Sequence, residues 1–209
     1  LNEEQKAAVE AINSHNIILI SGGPGTGKTS TLKSILERAL SSNSKLRVGL
    51  AAPTGKATRR LKDSIQDEIE IISTDKNNFL SNVPCQTLHS WLKATPKGFG
   101  KNKKNLISLD ILIIDEMSMV DLELMQGLLN AYPKTSQLIL VGDSEQLPPI
   151  RSGAIWHQLQ KEKIQEKFGG GSIHLQKVYR NKGEIASLSL ALRQRSLSVF
   201  WGMLNQIPK

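Results

Sequence analysis

Apolar residues recur in short unbroken runs separated by longer stretches of helical period. Ile17–Ser21, Arg47–Ala52, Asp110–Ile114 and Gln137–Asp143 are built on such runs, and Ser172–Leu175 also reads as a strand. Runs this short, apolar on both faces, predict strands of a parallel sheet covered on two sides. Between them, residues 3–13 predict a helix capped by Asn2, with Ala7, Ala8, Ala11 and Ile12 inward. Further helices are predicted from Lys28 to a polar loop at Ser41–Ser44, over Ala57–Ile72, Asp121–Ala131 and Ala154–Lys163, and, short and capped near Thr87, over Thr87–Leu92. Residues 73–86 have no clear period and read as loop. Glu166–Gly171 reads as a flexible link, and Glu184–Arg195 and Ser198–Leu204 as further helices. Alternation of strand and helix implies an α/β fold with helices on both faces of the sheet.

The ends of those strands carry the chemistry. The first runs into Gly22-Gly23-Pro24-Gly25-Thr26-Gly27-Lys28-Thr29-Ser30. Strand, Gly-rich loop and helix in that order form a phosphate cradle, with backbone N–H groups and a helix N-terminus turned to the anion. Lys28 would neutralise the β- and γ-phosphates, and the Thr29 hydroxyl would hold Mg²⁺. The third run ends in Asp115-Glu116. Asp115 would bind the same Mg²⁺, and Glu116 would orient and deprotonate the attacking water. The fourth delivers Gly142-Asp143-Ser144-Glu145-Gln146, where the uncharged amide of Gln146 would sense the γ-phosphate. Gln5, just before the first strand, has the donor and acceptor to pair with the edge of adenine.

Charge adds a second ligand. The chain of 209 residues has a net charge of +8. Lys93, Lys97, Lys101, Lys103 and Lys104 cluster without an intervening acid, as do Lys56, Arg59, Arg60 and Lys62. An anionic polymer is the expected partner. Pro53-Thr54-Gly55-Lys56, at a strand's end, suits a phosphodiester backbone, although an ordinary turn has the same composition. Thr95–Lys104 reads as an exposed hairpin or flexible insertion in which Phe99 would stack on an unpaired base while lysines such as Lys101 hold phosphates. Hydrophobic residues at 39% and charged ones at 22% describe an ordinary globular protein. No apolar stretch approaches a membrane span, Cys85 is the lone cysteine, and the first residues hold no signal peptide, so a cytoplasmic location is expected.

In this order, the motifs resemble those of superfamily 1 DNA helicases, and most closely the RecD-type family that includes the exodeoxyribonuclease V alpha subunit. Leu1–Gln5 resembles its Q motif, Gly22–Thr29 motif I, Ala51–Ala57 motif Ia, Thr87-Leu88-His89 the next DNA-contacting motif, and Ile114–Met119 motif II. Gly142–Pro148 resembles motif III, and Leu175 with Tyr179-Arg180 resembles motif IV, whose Arg reaches the γ-phosphate. The resemblance implies a RecA-like P-loop NTPase over residues 1–180, with a small β-hairpin inserted at 95–107. It implies that residues 181–209 lead toward a second motor domain. It also implies ATP with Mg²⁺, single-stranded DNA against Pro53, Thr54, Lys56, Thr87 and His89, 5′→3′ movement, and RecB- and RecC-like partner subunits. Motifs V and VI do not occur in the chain, so it is expected to bind nucleotide but not to unwind DNA by itself. A related RNA helicase or the helicase part of a conjugative relaxase shares motifs II and III. A nucleotide-gated scaffold would not need Glu116.

Overall fold

A computed structural model describes residues 1–70, 82–143, 146, 155–179 and 196. Its centre is a six-stranded parallel sheet in the order β3-β2-β6-β7-β1-β8. The strands are β1 (Ile17–Gly22), β2 (Val48–Ala52), β3 (Cys85–Thr87), β6 (Ile111–Ile114), β7 (Gln137–Gly142) and β8 (Ser172–Leu175). Alternate residues of each central strand enter different cores. Ile18, Ile20, Ile111, Ile113, Ile139 and Val141 face the side covered by α1 (Glu3–Ala11), α2 (Lys28–Ser42) and α3 (Gly55–Glu70). Leu19, Leu112, Ile114, Leu138 and Leu140 face α4 (Leu88–Trp91), α5 (Leu122–Ala131) and α6 (Ile155–Leu159). Burial on both faces is why these strands are continuous apolar runs.

Helix ends follow local chemistry. Asn2 caps α1 in a reciprocal box, its side chain accepting from the Gln5 N–H while the Gln5 side chain accepts from the Asn2 N–H. Asp121 caps α5, its Oδ1 accepting from the Leu124 N–H at 2.9 Å. At the opposite edge of the sheet from the motif loops, the Arg47 guanidinium beside Asp110 holds that carboxyl down to about 2.

Several expectations need correction. Ala7 is exposed, and it is Gln5 that turns inward with Ala8 and Ala11. Within 73–86, Cys85-Gln86 belong to edge strand β3; with Gln86 exposed and Cys85 and Thr87 half-buried there is no apolar run to read. Helix α3 starts at Gly55, so Lys56 is helical. The helix expected over Ala154–Lys163 breaks, because Lys161 is extended (φ −67°, ψ 134°) and caps a separate α7, Glu162–Phe168. The expected link at Glu166–Gly171 is therefore the end of α7 and a 3₁₀ turn, Gly169–Gly171. Arg180, most of motif III after Asp143, and 181–195 and 197–209 lie outside the described residues.

The hairpin is β4 (Ala94–Thr95) paired antiparallel with β5 (Gly98–Phe99). Phe99 is half-buried against the second core, and a Cβ added at Gly127 in α5 would run into its ring. That packing weighs against base stacking by Phe99. It also makes a prediction. Gly127→Ala, which in an open helix would gain up to about 1 kcal/mol, is expected here to cost about 1–3 kcal/mol through overpacking. Urea denaturation measures it, and an unchanged midpoint would contradict the packing.

Candidate active site

Because every strand of the main sheet is parallel, the loops after β1, β2, β3, β6 and β7 leave by one edge. Ligands of open α/β sheets bind at that edge. Strand β7 lies between β1 and β6, which places Gly142-Asp143 between the Gly-rich loop and Asp115-Glu116.

The Gly-rich loop turns through two left-handed glycines, Gly25 (φ 78°) and Gly27 (φ 84°). Gly27 is the N-cap of the 15-residue α2, and no side chain caps the helix there. The Thr26 hydroxyl, buried, donates to the Gly23 carbonyl at 2.9 Å and pins the turn. Lys28 Nζ rests on the Gly22 and Gly23 carbonyls at 2.6 and 3.0 Å. Pro24 is exposed, and Thr29 and Ser30 are half-buried behind the lysine. A curled loop, an uncapped helix N-terminus and an ammonium laid along the loop fit a polyphosphate.

Asp115 and Glu116 follow β6 directly. Asp115 N–H donates to the Ala51 carbonyl at 2.9 Å, tying the acidic pair to β2. Burial pushes the Asp115 carboxyl up to about 6; the Glu116 N–H donating to it pulls down, the Glu116 charge pushes up, and the Lys28 ammonium pulls down. Glu116 adopts a left-handed backbone (φ 57°, ψ 41°), uncommon for a residue with a side chain. Among the described residues no three His, Cys, Asp or Glu side chains gather as a metal cage. A single carboxylate and a hydroxyl, completed by substrate phosphates and water, are what Mg²⁺ accepts.

Two contacts join parts that the sequence left separate. Ser118, in the 3₁₀ turn Met117–Met119, donates its hydroxyl to Gln146 Oε1 at 2.5 Å. The Tyr179 N–H donates to the Gly25 carbonyl at 2.7 Å. A Cβ at Gly27 would lie 2.6 Å from Gln5 Nε2 and 3.7 Å from the Tyr179 ring. Gln5, Gly27 and Tyr179 thus meet beside the loop. Gln5 Oε1 already accepts from the Asn2 N–H at 3.0 Å, which leaves its amide N–H groups as the freer half for reading a base.

The residues expected on DNA occupy the β2–β3 end of the same edge. Pro53 is buried, and the Thr54 hydroxyl accepts from the Ala57 N–H at 3.2 Å at the start of α3. Thr87 caps α4, accepting from the Ser90 N–H at 3.1 Å. Lys56 and His89 are exposed. Lys101 Nζ donates to Asn105 Oδ1 at 3.1 Å and to the Leu106 carbonyl at 2.9 Å within the hairpin region. Trp156 is buried, and Trp91 is half-buried with its Nε1 donating to the Leu50 carbonyl at 2.9 Å. Both serve packing.

Fold and site together define a RecA-like P-loop nucleotide-binding domain. The chain belongs to the AAA domain family, whose profile matches residues 5–152. It is 34% identical over 199 residues to the RecBCD enzyme subunit RecD of Mycolicibacterium smegmatis, covering 91% of this chain and 35% of that protein. It is 41% identical over 160 residues to RecD of Buchnera aphidicola subsp. Acyrthosiphon pisum, covering 74% and 26%. It is 38% identical over 153 residues to the ATP-dependent RecD2 DNA helicase of Deinococcus radiodurans, covering 73% and 19%. The chain therefore spans about a third or less of the length of these relatives. The resemblance to RecD-type helicases drawn from the motifs is borne out.

Two solved structures share the fold. One, of Pif1 helicases at forked double-stranded DNA, has a TM-score of 0.57 at 23% identity and covers 90% of this chain and 47% of that one. Pif1 helicase from Candida albicans has a TM-score of 0.52 at 24% identity and covers 92% and 44%. Among the described residues no helix is long and apolar enough to cross a membrane.

Proposed function

We propose that this chain is the nucleotide-binding motor domain of a RecD-type, ATP-dependent DNA helicase, working in the cytoplasm on single-stranded DNA. The observation that carries it is the single edge shared by two sets of loops. The nucleotide set follows β1, β6 and β7, the set for nucleic acid follows β2 and β3, and Asp115 N–H bonded to Ala51 ties the two together. A change at the phosphates is thereby transmitted along one sheet edge.

In this reading residues 1–180 form the motor domain and 181–209 lead into a second one. Gln5 and Tyr179 hold the adenine, the first by amide donors and the second by its ring. Loop Gly22–Gly27 and Lys28 bind the phosphates. Thr29 and Asp115 hold Mg²⁺, which when bound neutralises phosphate charge. Glu116 takes the proton of the attacking water; Lys28 and Arg180 balance the charge of the transition state, and Gln146 links the γ-phosphate to the DNA loops. Lys56 and His89 supply exposed contacts to the DNA backbone. RecB- and RecC-like subunits are the partners suggested by the named relatives.

ATP hydrolysis by the full-length protein, measured with single-stranded DNA and with RNA of the same sequence, tests this. Stimulation by DNA well above that by RNA is expected. Equal or greater stimulation by RNA would favour an RNA helicase, and hydrolysis indifferent to both would remove the motor assignment.

A further inference from the structure

We propose that Ser118 is a positioning residue that holds the Gln146 side chain in place for the nucleotide. The inference rests on the reading of Gln146 as the residue that senses the γ-phosphate. Ser118 is 1% exposed and lies between Met117 and Met119 in a tight turn that begins at Glu116. Two backbone bonds hold that turn, Met119 N–H to the Glu116 carbonyl at 3.0 Å and Val120 N–H to the Met117 carbonyl at 3.1 Å. Met117 and Val120 are themselves buried in the second core, so the turn is anchored from both sides. From this fixed position the Ser118 hydroxyl donates to Gln146 Oε1.

The bond holds the amide in place. One end of a Gln side chain accepts and the other donates, while a phosphate oxygen only accepts. With Oε1 engaged by Ser118, the NH₂ is the end left for an anion. Without the bond the side chain is free to turn away from that position. Ser118 also ties Gln146 to the turn that carries Glu116, so the γ-phosphate sensor and the water-activating carboxylate share one support. Neither the Gly-rich loop nor the acidic pair supplies this link.

The test is a double-mutant cycle in the full-length protein, reading DNA-stimulated ATP hydrolysis. Ser118→Ala is expected to lower kcat about tenfold, the effect of losing one orienting hydrogen bond, while KM for ATP moves less than about twofold. Ser118→Thr, which keeps the hydroxyl, should restore most of kcat. Gln146→Glu, which still accepts from Ser118 but offers no N–H, should be as slow as Gln146→Ala. The double variant Ser118→Ala/Gln146→Ala should be no slower than Gln146→Ala alone, because Ser118 acts only through that amide. Unchanged kcat in Ser118→Ala beside a slow Gln146→Ala would overturn the assignment, as would losses that multiply in the double variant. Full stimulation in Gln146→Ala would instead overturn the reading of Gln146, and the role of Ser118 with it.

Discussion

Glu116→Gln in the full-length protein is expected to slow DNA-stimulated ATP hydrolysis by about 10²–10⁴-fold, the range general-base catalysis contributes. Nucleotide affinity should stay within a few-fold. The amide has the shape of the carboxylate but cannot take a proton from water, and the phosphate contacts proposed for Lys28 and the loop remain. The backbone gives a second handle. Glu116 sits at φ 57°, ψ 41°, where a side chain is disfavoured and glycine is not. Strain at a residue proposed to act on the reacting water suggests that the turn is held for the direction it gives the carboxylate. Glu116→Gly should therefore lose hydrolysis as fully as Glu116→Gln without a loss of thermal stability. Single-turnover hydrolysis, fluorescent-nucleotide binding and melting curves read the three quantities. Hydrolysis at the wild-type rate in Glu116→Gln would remove Glu116 from its role.

What could be read from the chain divides by the range of the interaction. Strands β1, β2, β6 and β7 were legible because burial on both faces forces an apolar run, and edge strand β8 because Ile173 and Leu175 alternate with Ser172 and exposed His174. Edge strand β3 was not, since Cys85-Gln86-Thr87 borrows its order from pairing with Leu50-Ala51-Ala52. The break between α6 and α7 has no Gly or Pro to announce it. Gly169–Gly171 looked like a tether, yet Gly171 packs on His15 and on the Ile17 carbonyl, contacts made across the fold. The same division runs through the site. The loop Gly22–Thr29 and the pair Asp115-Glu116 are local spacings, readable at once. The bonds from Ser118 to Gln146 and from Tyr179 to Gly25 join segments far apart in the chain, and no periodicity points to them. Phe99 among lysines resembled a stacking platform. A glycine in the middle of the apolar helix α5 was the available sign that something packs against it closely.

Asp115→Asn is expected to make the protein more stable while abolishing Mg²⁺-dependent hydrolysis, and the stability gain should depend on pH. Burial pushes the Asp115 carboxyl up to about 6 from an ordinary value near 4. A raised carboxyl favours the fold when protonated. Its contribution is fully present below the unfolded value and is lost as pH rises through about 6. At pH 7.5 without metal or nucleotide, the ionised side chain therefore costs the folded state up to about 3 kcal/mol, a gap of about two pH units. Asn removes that cost and keeps an oxygen for the Glu116 N–H. Melting curves in chelator should place the variant above the wild type at pH 7.5, with the difference shrinking toward pH 4. Adding Mg²⁺ and a non-hydrolysable nucleotide should stabilise the wild type and leave the variant nearly unmoved, because only the carboxylate can exchange its destabilising charge for a metal bond. A variant less stable than the wild type at pH 7.5, or a gain unchanged at pH 4, would show that the Asp115 charge is not held at a cost.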